Sequence, residues 1–282
     1  MFIQNLMEDT LCSEKPGQQM ICEHGLSFYV ETTGHRLLFD VGATGAFLEN
    51  ARQAGIKIGD VDTVIISHGH YDHGGGLKDF LQVNDKAAVY LREGAFDPHI
   101  SIHGEEIHKI GLDPELCDSS RIHLLRGDTQ LDEELFLFGN VTERRLWSRS
   151  NQRLRVGVPG YPQDSFQHEQ SLLLSAEGRK ILFAGCSHCG IVNILEKCRA
   201  LTGSWPEAVI GGLHLSNPRG KEDLDIALLE ETAEYLQNTG AVYYTGHCTG
   251  LEAYEWLRKR LGEQIVYIHS GGQVKLSQRS GR

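Results

Sequence analysis

One short stretch of the sequence concentrates side chains that can bind metal ions. It reads SHGHYDHGGG and contains His68, His70, Asp72 and His73 within six residues. An apolar run, VDTVII, comes directly before it, which indicates a buried strand. Imidazole and carboxylate groups are ligands that zinc, iron and manganese accept in proteins. The stretch therefore predicts a metal site at the end of a strand, where α/β proteins usually place their sites.

The spacing divides these ligands into two pairs. Alternating residues of a strand point to the same side, so His68 and His70 suit one ion. A turn from Gly69 to Asp72 would let Asp72 and His73 bind a second ion nearby. The alternative is a surface cluster of histidines without a function, which the buried strand before it argues against. We expect one or two divalent transition metals, zinc first and iron or manganese as alternatives.

The rest of the chain alternates predicted strands and helices, as in an α/β protein. Two hairpins are predicted, LSFYVET with RLLFDVG, and QSLLLSAEGRKILFAGCS with its turn at EGR. Helical spacing is clearest in DLDIALLEETAEYLQNTG. Residues 95–120 are predicted to be a loop-rich insertion over one edge. Since no linker is evident, we expect a single domain over residues 1–282, built from two similar halves, about 1–155 and 156–282.

The stretch SHGHYDHGGG resembles the HxHxDH motif of the metallo-β-lactamase superfamily. LLFDVG resembles that family's early strand, which ends in a structural aspartate, here Asp40. GCSHCGIVN, IGGLHLS and TGHCTG further resemble the subgroup of 7,8-dihydropterin-6-yl-methyl-4-(β-D-ribofuranosyl)aminobenzene 5′-phosphate synthase-like proteins. The resemblance covers nearly the whole chain. It implies an α/β fold, the four-layer αββα metallo-β-lactamase sandwich, with a dinuclear metal site at one edge.

The resemblance also implies a ligand for each metal, residue by residue. His68 and His70 would bind the first metal, and Asp72, His73 and His247 would bind the second.

The resemblance departs from the common pattern at one ligand. Most hydrolases of the superfamily have a bridging aspartate after an LFxGD strand, but here the strand reads LFAGCSH. The position of that aspartate is taken by Cys186, Ser187 or His188. The upstream segment FQHEQS contains two further candidate ligands, His168 and Glu169. We expect His188 to be a metal ligand, and the identity and number of the metals stay open.

Two further groups have alternative interpretations. His214 in IGGLHLS ends a predicted strand and is a metal ligand, a proton donor, a substrate contact or a hydrogen-bonded core histidine. Cys186 and Cys189, with Cys248 in a later motif, would form a thiol redox or zinc-thiolate site. Buried, inert cysteines are the interpretation that we favour, since free cysteine is among the most buried residue types.

An arginine-rich segment interrupts an otherwise acidic chain of net charge -11. The segment RRLWSRSNQRLRVG contains five arginines: Arg144, Arg145, Arg149, Arg153 and Arg155. Guanidinium groups suit phosphate and carboxylate, so one or two of these are expected to bind a small anionic substrate. The alternative is a solvated loop or a subunit contact, and a subunit contact would make the protein a homo-oligomer.

Bulk properties exclude several classes of protein. The net charge argues against a general nucleic-acid binder, which needs a basic face. No apolar run is long enough for a membrane span, and the first residues lack a signal-peptide pattern. Seven cysteines, an odd number, do not suggest a secreted disulfide framework. We therefore expect a cytoplasmic protein.

Three functions are consistent with these features. The first is a metal-dependent hydrolase of a small anionic ester, a phosphoester or a lactone, in which a metal-bound hydroxide attacks and Asp72 and His214 assist. The second, implied by the subgroup, is a transferase that joins a dihydropterin pyrophosphate to a ribofuranosylaminobenzene phosphate. The third is a non-enzymatic, metal-containing ligand-binding protein.

The motif itself can be tested by substitution. His70→Ala combined with Asp72→Ala removes one ligand from each expected pair, so most bound metal should be lost. Elemental analysis of the purified variant measures this, and an unchanged metal content would show that the motif has been misassigned.

Overall fold

The computed structural model of the protein describes residues 1–11, 19–216 and 224–276. Its strands in these ranges are β1 (Phe2–Met7), β2 (Ser27–Glu31), β3 (Arg36–Phe39), β4 (Thr63–Ile65), β5 (Ala88–Arg92), β6 (His99–His103), β7 (Glu106–Lys109), β8 (Ile122–Leu125), β9 (Thr129–Gln130), β10 (Leu135–Gly139), β11 (Leu154–Val156), β12 (Gln170–Ala176), β13 (Arg179–Phe183), β14 (Ala208–Ile210), β15 (Val242–Thr245) and β16 (Ile265–Tyr267).

The α-helices in the same ranges are α1 (Ala46–Gln53), α2 (Tyr71–Gly74), α3 (Leu77–Val83), α4 (Ile191–Thr202), α5 (Ile226–Thr239) and α6 (Leu251–Leu261). Short 3-10 helices cover Ile58–Asp60, Pro114–Asp118, Arg149–Arg153, His247–Thr249 and Gly262–Gln264. None of the helices described is long and apolar enough to cross a membrane.

The first sheet has the strand order β1-β2-β3-β4-β5-β8. Its first three strands are antiparallel, and β2 and β3 form the first predicted hairpin. Strands β3, β4, β5 and β8 are parallel, with Phe39 paired with Ile65. The residues that follow β3 and β4 therefore leave the sheet side by side at its carboxyl edge.

The second sheet has the order β16-β15-β14-β13-β12-β10-β9. Strands β12 and β13 form the second predicted hairpin, and β13, β14, β15 and β16 are parallel. Phe183 is paired with Ile210, and Ile210 with Tyr244. The loops that follow β13, β14 and β15 therefore begin side by side at the carboxyl edge of this sheet.

The two sheets pack face to face, and helices cover their outer faces. Apolar side chains of both sheets form the central core, where the rings of Phe39 and Phe183 are 5.2 Å apart. Helices α1 and α3 pack on the first sheet through Phe47 and Phe80. Helices α4, α5 and α6 pack on the second sheet. The predicted four-layer αββα sandwich is confirmed.

Residues 95–120 are more ordered than predicted. Strands β6 and β7 form a hairpin within them, and β6 also pairs with β11 to make a small third sheet. Strand β7 is largely exposed, so its mixture of polar and apolar residues concealed the hairpin. The strands of the first large sheet all come before residue 126, and those of the second begin at Thr129. The similarity of the two halves of the chain stays a prediction.

The core between the sheets should dominate stability. Phe183 is fully buried against the rings of Phe28 and Phe39. Phe183→Ala should lower the free energy of unfolding by about 3–5 kcal/mol, because transfer and cavity costs add. Val83→Ala is the matched control: Val83 is 52% exposed, so the change should stay within about 0.5 kcal/mol. Denaturant unfolding of both variants measures this, and equal losses would contradict the assignment of the core.

Candidate metal centre

The predicted metal ligands all follow strands that end at the carboxyl edges of the two sheets. His68, His70, Asp72 and His73 follow β4, and His247 follows β15. His188 follows β13, and His214 follows β14. Gly185 lets the two edges approach closely: it has φ +57°, and a Cβ there would lie 2.5 Å from the Ser67 side chain.

A buried carboxylate, that of Asp40, fixes the first of these loops. Its Oδ1 accepts a hydrogen bond from the Ser67 amide (2.7 Å), and its Oδ2 accepts one from the Ser67 hydroxyl (2.8 Å). His73 Nδ1 lies 2.7 Å from the same Oδ2. Asp40 has φ +59°, a strained conformation for a residue with a side chain. The structural aspartate that the resemblance implied is thus the anchor of the metal-binding loop.

The first pair of facing imidazoles is His68 and His188. Since the Ser67 hydroxyl donates to Asp40, it accepts from His68 Nδ1 at 2.9 Å. Nδ1 of His188 lies 2.9 Å from the side-chain oxygen of Asn151, to which it donates. Both rings therefore carry their proton on Nδ1, and their Nε2 lone pairs face each other at 3.2 Å.

The second pair is His73 and His247. Nδ1 of His73 donates to Asp40, and Nδ1 of His247 donates to Asp9 Oδ1 at 2.7 Å. Their Nε2 atoms are 3.3 Å apart. Asp72 Oδ2 lies 3.2 Å from Nε2 of His247 and 3.7 Å from Nε2 of His73.

These donor atoms fit divalent transition metals. The facing lone pairs of His68 and His188 repel each other unless a cation lies between them. Separations of 3.2–3.7 Å also match the edge of a tetrahedron with metal–ligand bonds of about 2.0–2.1 Å, which is about 3.3 Å. Each ring donates its Nδ1 proton to a hydrogen-bond acceptor that fixes its orientation, which is the usual arrangement for metal-binding histidines.

Cys186 lies between the two pairs. Its Sγ is 3.0 Å from Nε2 of His73 and forms ligand groups with Asp72, His73 and His247 on one side and with His68 and His188 on the other. Of Cys186, Ser187 and His188, the three residues predicted for the place of the bridging aspartate, Cys186 thus lies close to both ligand pairs.

Burial and neighbouring charges shift the pKa values of these side chains in opposite directions. Burial lowers the pKa of His68, His70 and His188 well below the ordinary value, which favours the neutral imidazole that binds metals. Burial also acts to lower the pKa of His247, but hydrogen bonds to the carboxylates of Asp72 and Asp9 outweigh it and raise that pKa. The carboxylates thus supply negative charge where a cation would bind.

Of the three cysteines considered for a thiol site, Cys186 and Cys248 lie together, whereas Cys189 does not join them. Cys189 points away from Cys186, with its Sγ 3.7 Å from the Phe166 carbonyl in an apolar cluster. The Glu169 carboxylate accepts hydrogen bonds from the amides of His188 (2.6 Å) and Cys189 (2.8 Å). Glu169 therefore supports the loop that carries His188.

His214 faces the metal centre in a strained conformation. Its φ is +49°, and its ring is 4.2 Å from that of His188. Neither ring nitrogen has a hydrogen-bond partner among the described residues, and one lies within 4.8 Å of the sulfurs of Cys186 and Cys248. This environment, beside two thiols and the His188 ring, suits a ligand, a proton donor or a substrate contact.

Two adjoining cavities open from the site. The inner cavity, of ≈ 110 Å³, is lined by metal-centre residues and also by Ser101, His214 and Arg153. The outer cavity measures ≈ 890 Å³ and has Leu251 among its apolar lining residues. Arg153 lines both cavities, so it lies where the two spaces meet.

The five predicted arginines have different surroundings. Arg153 has no ion-pair partner among the described residues. Arg149 lines the outer cavity and forms an ion pair of 3.1 Å with an aspartate. Arg144 donates to backbone carbonyls, and Arg145 lies 5.2 Å over a tyrosine ring. Arg155 lies in β11 and lines neither cavity.

Asp9 and His24 also belong to the site and are not indicated by any of the sequence motifs. Asp9 binds His247 through one carboxylate oxygen and His24 Nδ1 through the other, at 2.8 Å. Nε2 of His24 in turn lies 3.4 Å from Asp72 Oδ2. Neither belongs to a motif. The available signal was a pair of acidic residues directly after the apolar strand FIQNLM, similar to Asp40 after β3.

Comparisons with known proteins agree with this architecture. The family model of the metallo-beta-lactamase superfamily matches residues 20–247. The chain is 28% identical over 278 residues to the 7,8-dihydropterin-6-methyl-4-(beta-D-ribofuranosyl)-aminobenzene-5'-phosphate synthase of Methanocaldococcus jannaschii, a match that covers 90% of each chain.

Solved structures give the same result. Tm1679, described as a metal-dependent hydrolase of the beta-lactamase superfamily, is 29% identical with a TM-score of 0.79, over 99% of this chain and 100% of that one. The metallo-beta-lactamase fold protein YhfI from Bacillus subtilis shares the fold at 11% identity, with a TM-score of 0.55 over 98% and 100% of the two chains.

The two residues that follow Ser187 should differ sharply in their effect on metal content. His188→Ala removes an Nε2 that faces His68, so metal occupancy and activity should fall. Cys189→Ala should leave occupancy nearly unchanged, because its sulfur lies in the apolar core. Elemental analysis of both variants decides the matter. The reverse ranking would support a thiolate site that includes Cys189.

Proposed function

The chain belongs to the metallo-β-lactamase superfamily and is an enzyme, and we propose that it hydrolyses a small anionic ester, a phosphoester or a lactone, with the aid of divalent metal ions. One observation carries the proposal. The facing imidazole lone pairs of His68 and His188 and the carboxylate of Asp72 lie beside a cavity whose rim holds Arg153, an arginine without a described ion-pair partner.

The ligands divide between two positions. His68, His188 and the nearby His70, whose ring is 4.5 Å from that of His68, would hold one ion, and Asp72, His73 and His247 would hold the other, with Cys186 between them. Bound metal would supply Lewis acidity that polarises a carbonyl or phosphoryl oxygen and lowers the pKa of water towards neutrality.

The protein keeps this arrangement rigid through its own hydrogen bonds. Asp40, Asp9 and Asn151 each accept the Nδ1 proton of a ligand histidine, so the Nε2 atoms cannot rotate away. The ligand histidines are almost completely buried. Preorganised, water-excluded groups stabilise developing charge better than mobile ones, because no reorganisation is needed during the reaction.

Arg153 would bind the anionic part of the substrate. A chain of net charge -11 repels anions in general, so a local guanidinium is needed for binding. Its position between the cavities would hold the reacting group in the inner cavity and leave the rest of the substrate in the outer one.

Asp72 and His214 would take the remaining roles. Asp72 would bind metal and, through its Oδ2, orient the group that attacks. His214 lines the inner cavity, and its ring nitrogens have no oxygen or nitrogen partner within the described ranges, so one of them would pass a proton to the leaving group. The strained φ of His214 is consistent with a functional position.

A transferase is the second candidate. It is favoured by the 28% identity, over 90% of each chain, to a protein named as a dihydropterin-ribofuranosylaminobenzene phosphate synthase. The outer cavity of ≈ 890 Å³ has room for a second reactant. In this reaction the metal centre would assist a pyrophosphate leaving group instead of water.

Product analysis separates the two candidates. The metal-loaded protein should turn over model phosphodiesters or lactones, and a His188→Ala, His247→Ala double variant should not. Absence of ester turnover, together with a joined product from a dihydropterin pyrophosphate and a ribofuranosylaminobenzene phosphate, would select the transferase. Tight binding of such ligands without either reaction would overturn both candidates.

The arginines should separate into two groups. Arg153→Ala should weaken binding of phosphate or substrate roughly tenfold to a hundredfold, because a lost charged hydrogen bond costs about 1.5–3 kcal/mol. Arg145→Ala is the matched control, since that guanidinium lies over the Tyr235 ring, and binding should stay the same. Calorimetry with phosphate measures both, with metal content checked in parallel. Equal affinities would remove Arg153 from the anion site.

A further inference from the structure

The small third sheet ends in an exposed edge strand, β7. The strand order of this sheet is β11-β6-β7, so β7 has a neighbouring strand on one side only. Ile107, in the middle of β7, is 48% exposed, and Glu106 and Lys109 are exposed as well. An edge strand offers a row of main-chain donors and acceptors with which another chain can pair.

The register of the β6–β7 hairpin shows which main-chain groups of β7 face outward. Ile110 donates its amide hydrogen to the His99 carbonyl at 2.9 Å, so these residues form a hydrogen-bonded pair. Hydrogen-bonded and non-hydrogen-bonded pairs alternate along an antiparallel ladder. The N–H and C=O groups of Ile107 and Lys109 therefore point away from β6. Among the described residues, these groups have no backbone partner outside the hairpin.

The sequence around β7, EEIHK, is complementary to itself when read in the opposite direction. Two copies of β7 can pair antiparallel about a two-fold axis. With the axis at Ile107, that residue lies opposite its own copy. Glu105 then lies opposite Lys109 of the second copy, and Glu106 lies opposite His108. An acidic residue thus faces a basic residue on both sides of the paired isoleucines, which stabilises cross-strand pairing.

Other registers of the same two strands are less favourable. An axis at Glu106, at His108 or at Lys109 would place that residue directly opposite its own copy. Like charges in this position destabilise a sheet. Ile107 is the one apolar residue of β7, and it is paired with Ile102 of β6. An axis at Ile107 would therefore also extend an apolar row from one copy into the other.

We propose that β7 is the contact strand of a homodimer, in which two copies pair antiparallel about a two-fold axis at Ile107. The pairing would join the third sheets of both copies into one continuous sheet and would satisfy the outward main-chain groups of Ile107 and Lys109. Stable protein complexes bury at least about 1,200 Å². Since one short strand from each copy buries less than this, the dimer should form in a concentration-dependent manner.

The dimer would also affect the candidate site. Ser101 and His103 lie on β6, next to β7, and line the inner cavity. Pairing of the hairpins would hold this wall of the cavity in place. The proposal goes beyond the proposed reaction and does not depend on it.

Charge reversal at the edge strand tests the proposal. Sedimentation velocity at increasing concentration should show the parent protein passing from monomer to dimer. Lys109→Glu places two glutamates opposite each other at each end of the contact, so the dissociation constant of the dimer should rise roughly tenfold or more. Lys86→Glu is the matched control, because it makes the same change of charge at an exposed lysine outside β7 and should dimerise like the parent.

A second reversal and a mixture identify the paired residues. Glu105→Lys places lysines opposite each other and should also weaken the dimer. Mixed in equal amounts, the Glu105→Lys and Lys109→Glu proteins should dimerise at concentrations where each alone is monomeric, because every lysine then faces a glutamate. A parent that stays monomeric at every concentration would overturn the proposal. So would a dimer that Lys109→Glu leaves unchanged, or a mixture that behaves like its components.

A cross-link tests the register independently. The Cα atoms of a hydrogen-bonded antiparallel pair are about 5.5 Å apart, a distance that a disulfide spans. With oxidised glutathione, Ile107→Cys should give a disulfide-linked dimer on a non-reducing gel. Lys109→Cys should stay at the background of the parent, which has an exposed Cys22, because Lys109 lies opposite Glu105. Equal cross-linking of the two variants, or none above that background, would contradict the proposed pairing.

Discussion

The metal centre depends on a buried anion, the Asp40 carboxylate. A charge enclosed by apolar side chains is stable only where hydrogen-bond donors surround it. Here the donors are the amide and hydroxyl of Ser67 and Nδ1 of His73, so Asp40 holds both ends of the HxHxDH loop at once. Because the hydroxyl of Ser67 donates to Asp40, it can accept from His68 and set the tautomer of that ring. One carboxylate thus directs two ligand lone pairs into the site.

The sequence predicted well those features that depend on residues close together along the chain. Strand and helix periodicity gave both hairpins and the helices of the two layers, and the motif gave the strand-end ligands. Asp9 and His24 could not be predicted, because they join the site through His247 and Asp72, which are distant in sequence. Strand β7 was missed for another reason: an exposed strand that packs against little has no strict apolar alternation.

The thiol of Cys186 gives the centre a chemical character of its own. A carboxylate between two metal positions is a hard donor, whereas a thiolate is a soft one and favours zinc over magnesium or manganese. Its sulfur is 3.0 Å from Nε2 of His73, so a thiolate there would be a soft donor within reach of the second set of ligands. The proposed hydrolase and the transferase would use this same centre and would differ in the molecule that receives the transferred group.

Residues from both ends of the described chain complete the centre. Glu8 accepts a hydrogen bond from the His247 amide at 2.6 Å, and its own amide donates to Ser270 at 2.6 Å. His73 and His247 are 174 residues apart. At roughly 5–20 residues per second, a ribosome needs about 9–35 s to make that stretch. Throughout this interval the nascent chain displays the HxHxDH histidines without their partners, so selective metal loading has to wait until β15 and the segment after it have emerged and folded.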